Sequence, residues 1–401
     1  MTAVVIRGDA RTLPLPDACV DLIVTSPPYF GLRSYTDDGA HYEGQIGSEA
    51  TPAEWLAALV ECTREWVRVL KPSGSLFVNL GDKFSDRGHG PNRGNGTGRG
   101  PQNTLLPQTR GPLEKSLLGL PWRYALACMD DLGLILRRDI IWSKPNGLPE
   151  SVTDRCRSSH EYLFHFTVQP RYYAAVDEIR EPHTYPNDIR NQATRRFRGD
   201  DHLGSGHHLR SDPNPLGKLP GSVWDIPSQP LVVPAALGVD HFAAFPMELP
   251  RRCVLGWSPP GVCTACGEGR CPVVRAEPVK SPDHGDGSHM GRRRGVVRGW
   301  DGLPRFNMAR DITGYACACP QPDAPTRPAV VLDPFGGTGT TALVAAAYGR
   351  TGVSVDLSGD YCRLARWRTT DPGERARALL VPKPPPVPEN QGSLFDDLEA
   401  S

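Results

Sequence analysis

The 401-residue chain lacks net charge, because 45 Lys+Arg offset 45 Asp+Glu. A whole-molecule field that gathers polyanions is thereby excluded, and any contact with nucleic acid must come from local clusters. Long apolar runs are also missing, and the opening residues Val4, Val5 and Ile6 do not form a signal-peptide pattern. Both absences lead to the expectation of a cytoplasmic protein with no membrane association. The 11 cysteines are an odd number, so they cannot all close into a disulfide framework, and a chain of this length needs none. There is no internal repeat. What abounds is glycine (42) and proline (41), which predicts long irregular segments between ordered elements.

Periodicity places the ordered elements. Val20 to Val24 is a short apolar run ending at Thr25-Ser26-Pro27-Pro28, the pattern of a buried strand running into a loop. Pro52 to Leu70 has helical spacing, closed by Lys71-Pro72-Ser73-Gly74, and Ser75 to Leu80 is the next strand. A helix is predicted over Pro121 to Leu132, with strands over Leu134 to Trp142 and Tyr162 to Phe166. After a long aperiodic stretch come a strand over Ala329 to Leu332, a helix over Thr341 to Tyr348, a strand over Gly352 to Asp356 and a helix over Tyr361 to Arg368. Strands alternating with helices imply an α/β fold, a doubly wound and mostly parallel sheet.

Two strand ends carry the chemistry. The first is Thr25-Ser26-Pro27-Pro28-Tyr29. Its Ser26 hydroxyl and Pro27 carbonyl are hydrogen-bond acceptors on a backbone stiffened by two prolines, and Tyr29 offers a flat face for stacking. An acceptor pair of this kind suits an exocyclic base amine, a poor nucleophile whose lone pair is delocalised into the ring until its hydrogens are gripped. The second is Asp333-Pro334-Phe335-Gly336-Gly337-Thr338-Gly339-Thr340-Thr341, between a strand and a helix. Glycines there let a ligand approach the backbone, and the threonines can help cap the helix. No lysine follows them, so this is not a phosphate-cradling loop. The next strand ends at Asp356, placed to accept two ribose hydroxyls of a nucleoside cofactor.

Taken together, these stretches resemble the DNA amino-methyltransferases, in the permuted group whose catalytic motif precedes the cofactor motif. TSPPY resembles that family's motif IV and DPFGGTGTT its motif I. The run His241 to Pro246 with Leu249-Pro250-Arg251-Arg252 resembles motif X, Asp139 to Asn146 resembles motif VIII, and Gly8-Asp9 resembles the acidic loop before motif IV. The resemblance implies a Rossmann-like methyltransferase sheet, S-adenosylmethionine as cofactor, double-stranded DNA as partner and a base flipped out of the stack. It implies cofactor contacts from Asp333, Phe335, Gly337, Gly339, Thr340, Asp356, Phe245 and Asp9, with Ser26, Pro27, Pro28 and Tyr29 holding the base. Ser-Pro-Pro at motif IV favours cytosine N4; adenine N6 is the alternative, followed by an RNA amine or a cofactor-dependent regulator without turnover. Methylation at cytosine C5 is disfavoured, since no cysteine follows a proline.

The remaining features lie outside those motifs. Cys263-Thr264-Ala265-Cys266 and Cys317-Ala318-Cys319 offer four thiolates for a structural Zn2+, with Cys271 or Cys253 as possible substitutes. The basic groups from Arg190 to Arg210 and from Arg292 to Arg298 could meet phosphates. A proline-rich spacer from Pro382 presents Gln391-Gly392-Ser393-Leu394-Phe395, which resembles a docking peptide for the replication sliding clamp. The expected organisation is a catalytic half over 1–169 with a mobile loop over 83–111, and a target-recognition region over 170–240. A cofactor-facing helix follows over 241–262, a zinc insert over 263–320, a cofactor half over 321–371, and a tether with an acidic tail over 372–401. With no nuclease motif in the chain, it is expected to act as a stand-alone methylase of a bacterial cell or a phage-infected host.

Overall fold

The computed structural model describes residues 2–31, 36–37, 40–41, 44–85, 115–147, 149–182, 216–234, 237–238, 245–279, 307–321 and 323–383. Outside these residues lie the expected mobile loop beyond Ser85, His241 to Ala244 of the motif X resemblance, both arginine clusters, and the Gln391–Phe395 peptide. Among the described residues no helix is long and apolar enough to cross a membrane. The chain divides into two compact units, the first made of residues 1–173, 222–260 and 328–401, the second of 174–221 and 261–327. The recognition region and cysteine insert expected as separate segments thus fall largely within one unit, interrupted in sequence by residues of the first.

The first unit is built on an eight-stranded sheet. Its strands are β1 (Thr2–Arg7), β2 (Val20–Thr25), β3 (Leu70–Leu80), β4 (Ile135–Ser143), β5 (His160–Thr167), β6 (Val223–Asp225), β7 (Val330–Asp333) and β8 (Thr351–Asp356). Their order across the sheet is β1-β8-β7-β2-β3-β5-β4-β6. The ladders from β1 to β3 are parallel, as is β4 with β6, whereas β3–β5 and β4–β5 are antiparallel. Among the described residues no helix separates β4 from β5, and the chain returns by a hairpin, with the Lys144 N–H donating to the Ser159 carbonyl at 2.8 Å. β2 is buried at every residue, as a central parallel strand must be.

The helices are α1 (Pro52–Val69), α2 (Leu120–Asp130), α3 (Glu248–Trp257), α4 (Thr340–Ala347), α5 (Gly359–Thr370) and α6 (Pro372–Ala378). Thr51 and Glu54 form a capping box at the start of α1, whose Trp55, Leu59, Cys62 and Trp66 are buried. Both indoles also tie down loops, Trp55 Nε1 donating to the Pro28 carbonyl at 3.0 Å and Trp66 Nε1 to the Ala10 carbonyl at 3.1 Å.

Three expectations need correction. Lys71-Pro72-Ser73-Gly74 is not a separate turn but the first part of β3, which starts by pairing Leu70 with Val20 before a register shift. The buried Asp21 draws in the Lys71 ammonium and accepts the Val330 N–H at 2.9 Å, so this segment is pinned to its neighbours. Val223–Asp225 is a strand of the main sheet rather than part of an aperiodic region, its Trp224 buried and the Trp142 indole donating to the Ile226 carbonyl at 2.7 Å. The tether does not begin at 372. Asp371 caps α6, its carboxylate accepting the Glu374 N–H at 2.8 Å.

In the second unit, Cys271–Val279 and Asn307–Ala316 form an antiparallel ribbon with a bulge at Val273/Val274. Val262–Cys263 pairs with Thr326–Arg327, bringing the two ends of the insert together.

Candidate active site and cysteine centre

The carboxyl ends of β2, β7 and β8 converge, as ligand sites do in doubly wound sheets. An open pocket there is lined by Asp9, Arg11, Ser26, Pro28, Gln45, Ile46, Phe335, Gly337, Asp356, Leu357 and Tyr361 among others. The two motifs, more than 300 residues apart in sequence, share one wall.

The glycine loop is shaped from below by β8. A side chain on Gly336 would collide with Ser354, its Cβ only 1.9 Å from Oγ, so the loop backbone lies directly on the strand. Gly337 sits at φ +48°, and a Cβ there would meet nothing closer than 3.9 Å, so a methyl would point into open space. Its N–H donates to Asp356 Oδ2 at 2.8 Å, while Oδ1 accepts from the Ser358 N–H at 2.9 Å. Phe335 is set edge-on against Trp66, ring centroids 5.7 Å apart.

Not every cofactor residue expected from the motif reaches the pocket. Asp333 is buried beneath the loop, accepting the Phe335 N–H at 3.2 Å and the Thr341 hydroxyl at 3.0 Å. Burial pushes its carboxyl up to about 7. Gly339, at φ +74°, packs against α5, where a Cβ would lie 2.8 Å from Ala365 Cβ. Thr340 is buried, receiving Arg368 Nη1 at 2.6 Å, and Phe245 is not on the lining. Asp333, Gly339 and Thr340 shape the loop instead of facing the cavity, and Phe245 stands off the lining. Asp9 does line it, together with Arg11, which sequence reasoning missed. Burial would raise the Asp9 carboxyl, but the Arg11 guanidinium, 2.6 Å away, and the Arg11 N–H hold it below the usual range.

A further omission was the clamp over the loop. Arg368, buried on α5, donates from Nη1 to the Thr338 hydroxyl at 2.8 Å and to Thr340, and from Nε to Glu374 of α6 at 2.8 Å. An arginine in a helix gives no hint of this without its partners.

At the other motif Ser26 and Pro28 line the pocket, while Pro27 is buried and Tyr29 is off the lining. The Tyr29 hydroxyl is 3.4 Å from Ser26 Oγ and donates to Glu161 Oε2 at 2.7 Å. Asn79 Oδ1 stands 3.2 Å from it, and the Lys144 ammonium is paired with Glu161. Gly81 walls the ring edge, since a Cβ there would fall 2.9 Å from Tyr29 Cε2.

In the second unit the sulfurs of Cys263, Cys266, Cys317 and Cys319 lie within 4.8 Å of one another. Thiolates about 2.3 Å from a shared tetrahedral ion stand about 3.8 Å apart, and Cys263 and Cys319 are 3.8 Å apart. Backbone N–H groups of Cys266 and Ala265 draw the Cys263 thiol down to about 6, whereas the neighbouring Cys266 and Cys319 thiols are shifted up. Cys271 lies outside the cluster and Cys253 is buried in α3 of the first unit, so neither substitute is needed.

With this geometry in hand, comparison with known proteins is specific. The family described as DNA methylase matches residues 20–264 and 326–366. Type II methyltransferase M.SmaI of Serratia marcescens is 36% identical over 260 residues, 64% of this chain and 76% of that protein. M.Cfr9I of Citrobacter freundii is 36% identical over 262 residues, 65% of this chain and 74% of that protein. Among solved structures, the PvuII DNA methyltransferase, titled cytosine-N4-specific, aligns with a TM-score of 0.52 at 15% identity, covering 94% of this chain and 90% of that one. That is a likeness of fold.

Proposed function

The chain belongs to the DNA methylase family of S-adenosylmethionine-dependent amino-methyltransferases, and on that premise we propose that it methylates the N4 amine of a flipped cytosine in double-stranded DNA. The observation that carries the reading is the shared pocket: Ser26 and Pro28 line the same cavity as Phe335, Gly337 and Asp356. The choice of cytosine is supported by Ser26, a neutral hydroxyl where an adenine-N6 enzyme more often has a carboxylate.

The residues present fit the cofactor. A Cβ on Gly337 would intrude where a ligand must lie close, and Asp356 is an acceptor with both oxygens oriented by backbone N–H groups. Phe335, Gly337, Leu357 and Tyr361 would hold the nucleoside and methionine portions, and Asp356 would accept ribose hydroxyls. When bound, S-adenosylmethionine supplies an electrophilic methyl carbon on a sulfonium. The part of the chain is positioning: Ser26 Oγ and the Pro27 carbonyl would accept the two amino hydrogens, which favours the pyramidal nitrogen whose lone pair attacks; the C–S bonding pair would leave with the thioether and the surplus amine proton would pass to water. Tyr29, held at its hydroxyl by Glu161 and set behind the lining, would supply a stacking face once the base has entered. Incubation with labelled S-adenosylmethionine and DNA, followed by digestion and mass identification of the nucleoside, tests this. N4-methylcytosine is expected; N6-methyladenine would transfer the same mechanism to the other amine.

The cysteine centre we propose to be a structural zinc site of Cys263, Cys266, Cys317 and Cys319, knitting an insert with little apolar core of its own. Residues 265–325 lie outside the family match, so this site would be an addition to the shared catalytic body. For the tail, docking of Gln391–Phe395 to a sliding clamp is likewise a proposal, discarded if a pull-down is unchanged by Leu394→Ala/Phe395→Ala. We likewise propose that it acts in the cytoplasm of a bacterium or a phage-infected host, where its DNA substrate lies.

A further inference from the structure

The Tyr29 hydroxyl meets two oxygen acceptors. Glu161 Oε2 is 2.7 Å from it and Asn79 Oδ1 is 3.2 Å from it. The Asn79 amide is oriented by its own bond, Nδ2 donating to the Tyr162 carbonyl at 3.0 Å, so its oxygen is what faces Tyr29. The other oxygen of Glu161 takes the Lys144 ammonium, which also stands 4.2 Å from the centre of the Trp142 ring. Glu161 and Lys144 are both largely shielded from solvent, their side chains 15% and 22% exposed. Lys144 can only donate, so the carboxylate is held as an acceptor toward Tyr29.

A phenol has one hydrogen to give. Committed to Glu161, Tyr29 can only accept from Ser26, whose Oγ is 3.4 Å away. Tyr29 thus offers the Ser26 hydroxyl a lone pair, and a Ser26 hydrogen given to it leaves the Ser26 lone pairs for the pocket that Ser26 lines. The direction matters for the chemistry. A serine that donated to the target amine would occupy the nitrogen lone pair needed for attack, whereas one that accepts an amino hydrogen frees it.

We infer that Glu161, backed by Lys144, is a positioning residue that sets the polarity of the Tyr29–Ser26 chain, so that Ser26 meets the target amine as an acceptor. The inference rests on the amino-methyltransferase reading of the same pocket. It distinguishes Glu161 from a merely structural partner of Tyr29, because the polarity of a hydrogen-bond chain changes the transition state more than the binding of either substrate.

The test uses the full chain and an isosteric change. In Glu161→Gln, Lys144 claims the amide oxygen and the amide NH2 turns toward Tyr29, whose hydrogen is left with the more distant Asn79 Oδ1 at 3.2 Å and whose lone pairs the amide then contests with the Ser26 hydrogen. Single-turnover methyl transfer should fall by about ten- to a hundredfold, with the KM for DNA and the Kd for S-adenosylmethionine nearly unchanged. In Glu161→Gln/Lys144→Met the amide is free to rotate its oxygen toward Tyr29, and most of the lost rate should return. A Glu161→Gln enzyme with wild-type turnover would overturn the inference, as would a double variant no faster than the single one. If the wild type itself transferred no methyl group to DNA, the underlying reading would fall instead.

Discussion

Asp356 and Gly337, 19 residues apart in sequence, are joined by a 2.8 Å hydrogen bond from the Gly337 N–H to Asp356 Oδ2. The acidic strand end and the glycine loop are therefore one rigid unit, and the carboxylate that would receive ribose hydroxyls also holds the loop in place. The Ser358 N–H on its other oxygen makes the arrangement symmetric.

Replacing Asp356 by Asn sets an amide NH2 against one of those two backbone donors. The same NH2 cannot accept a ribose hydroxyl, and a hydrogen bond to a charged group is worth about 1.5–3 kcal/mol, so affinity for S-adenosylmethionine should drop by at least about tenfold while the fold persists. Calorimetric titration of cofactor into the variant checks this, with circular dichroism as the control. Unchanged affinity would remove Asp356 from the cofactor site.

The clamp over the loop should behave as a buried ion pair. Arg368→Met leaves the buried Glu374 with only the half-exposed Arg377 as counter-charge and strips Thr338 and Thr340 of their donor. Full stranding of a buried charge costs about 3–5 kcal/mol; with Arg377 still in place the loss should stay below that, readable as a lowered urea midpoint. Arg368→Met/Glu374→Met should be less damaging than the sum of the single changes, since neither charge is then stranded.

Asp333 gives a pH signature. Its folded carboxyl, pushed up to about 7 by burial, lies above the unfolded value of 3.8. A raised acid binds its proton more tightly when folded, so its contribution to stability is full below the unfolded value and is lost as pH rises through about 7. In Asp333→Asn the amide can donate to Thr341, whose hydroxyl then donates to the Val24 carbonyl, now 3.1 Å away. Melting temperature against pH should be flatter for this variant between pH 4 and 7; an identical slope in both proteins would refute the assignment.

Removal of the proposed zinc should act on the second unit alone. The purified protein is expected to contain stoichiometric zinc by elemental analysis, lost on Cys263→Ser and on treatment with a strong chelator. Proteolysis within the ribbon should then quicken. Cys271→Ser, outside the cluster, should keep the metal.

Much of the first unit was legible because its cues are local. Val20–Thr25 reads as a buried strand because it is apolar throughout, and the glycine loop declares itself between a strand and a helix. Val223–Asp225 escaped notice because three residues carry no period, and its buried tryptophan earns its place only by lying beside β4. The α6 helix had an Asp-Pro-x-Glu start at Asp371, but the prolines that follow masked it.

Sequence by itself determined the chemistry available: a Ser-Pro-Pro-Tyr strand end, a glycine loop without lysine, an acidic strand end and four paired cysteines, each a matter of residue types at short spacing. Tertiary structure decided which groups act together. It sank Asp333, Gly339 and Thr340 beneath the loop, brought Arg11 to the pocket, and linked Tyr29 to Glu161 and Lys144. Those relations join residues far apart in the chain. Burial and hydrogen-bond partnership depend on how strands order themselves in the sheet, which no local pattern encodes.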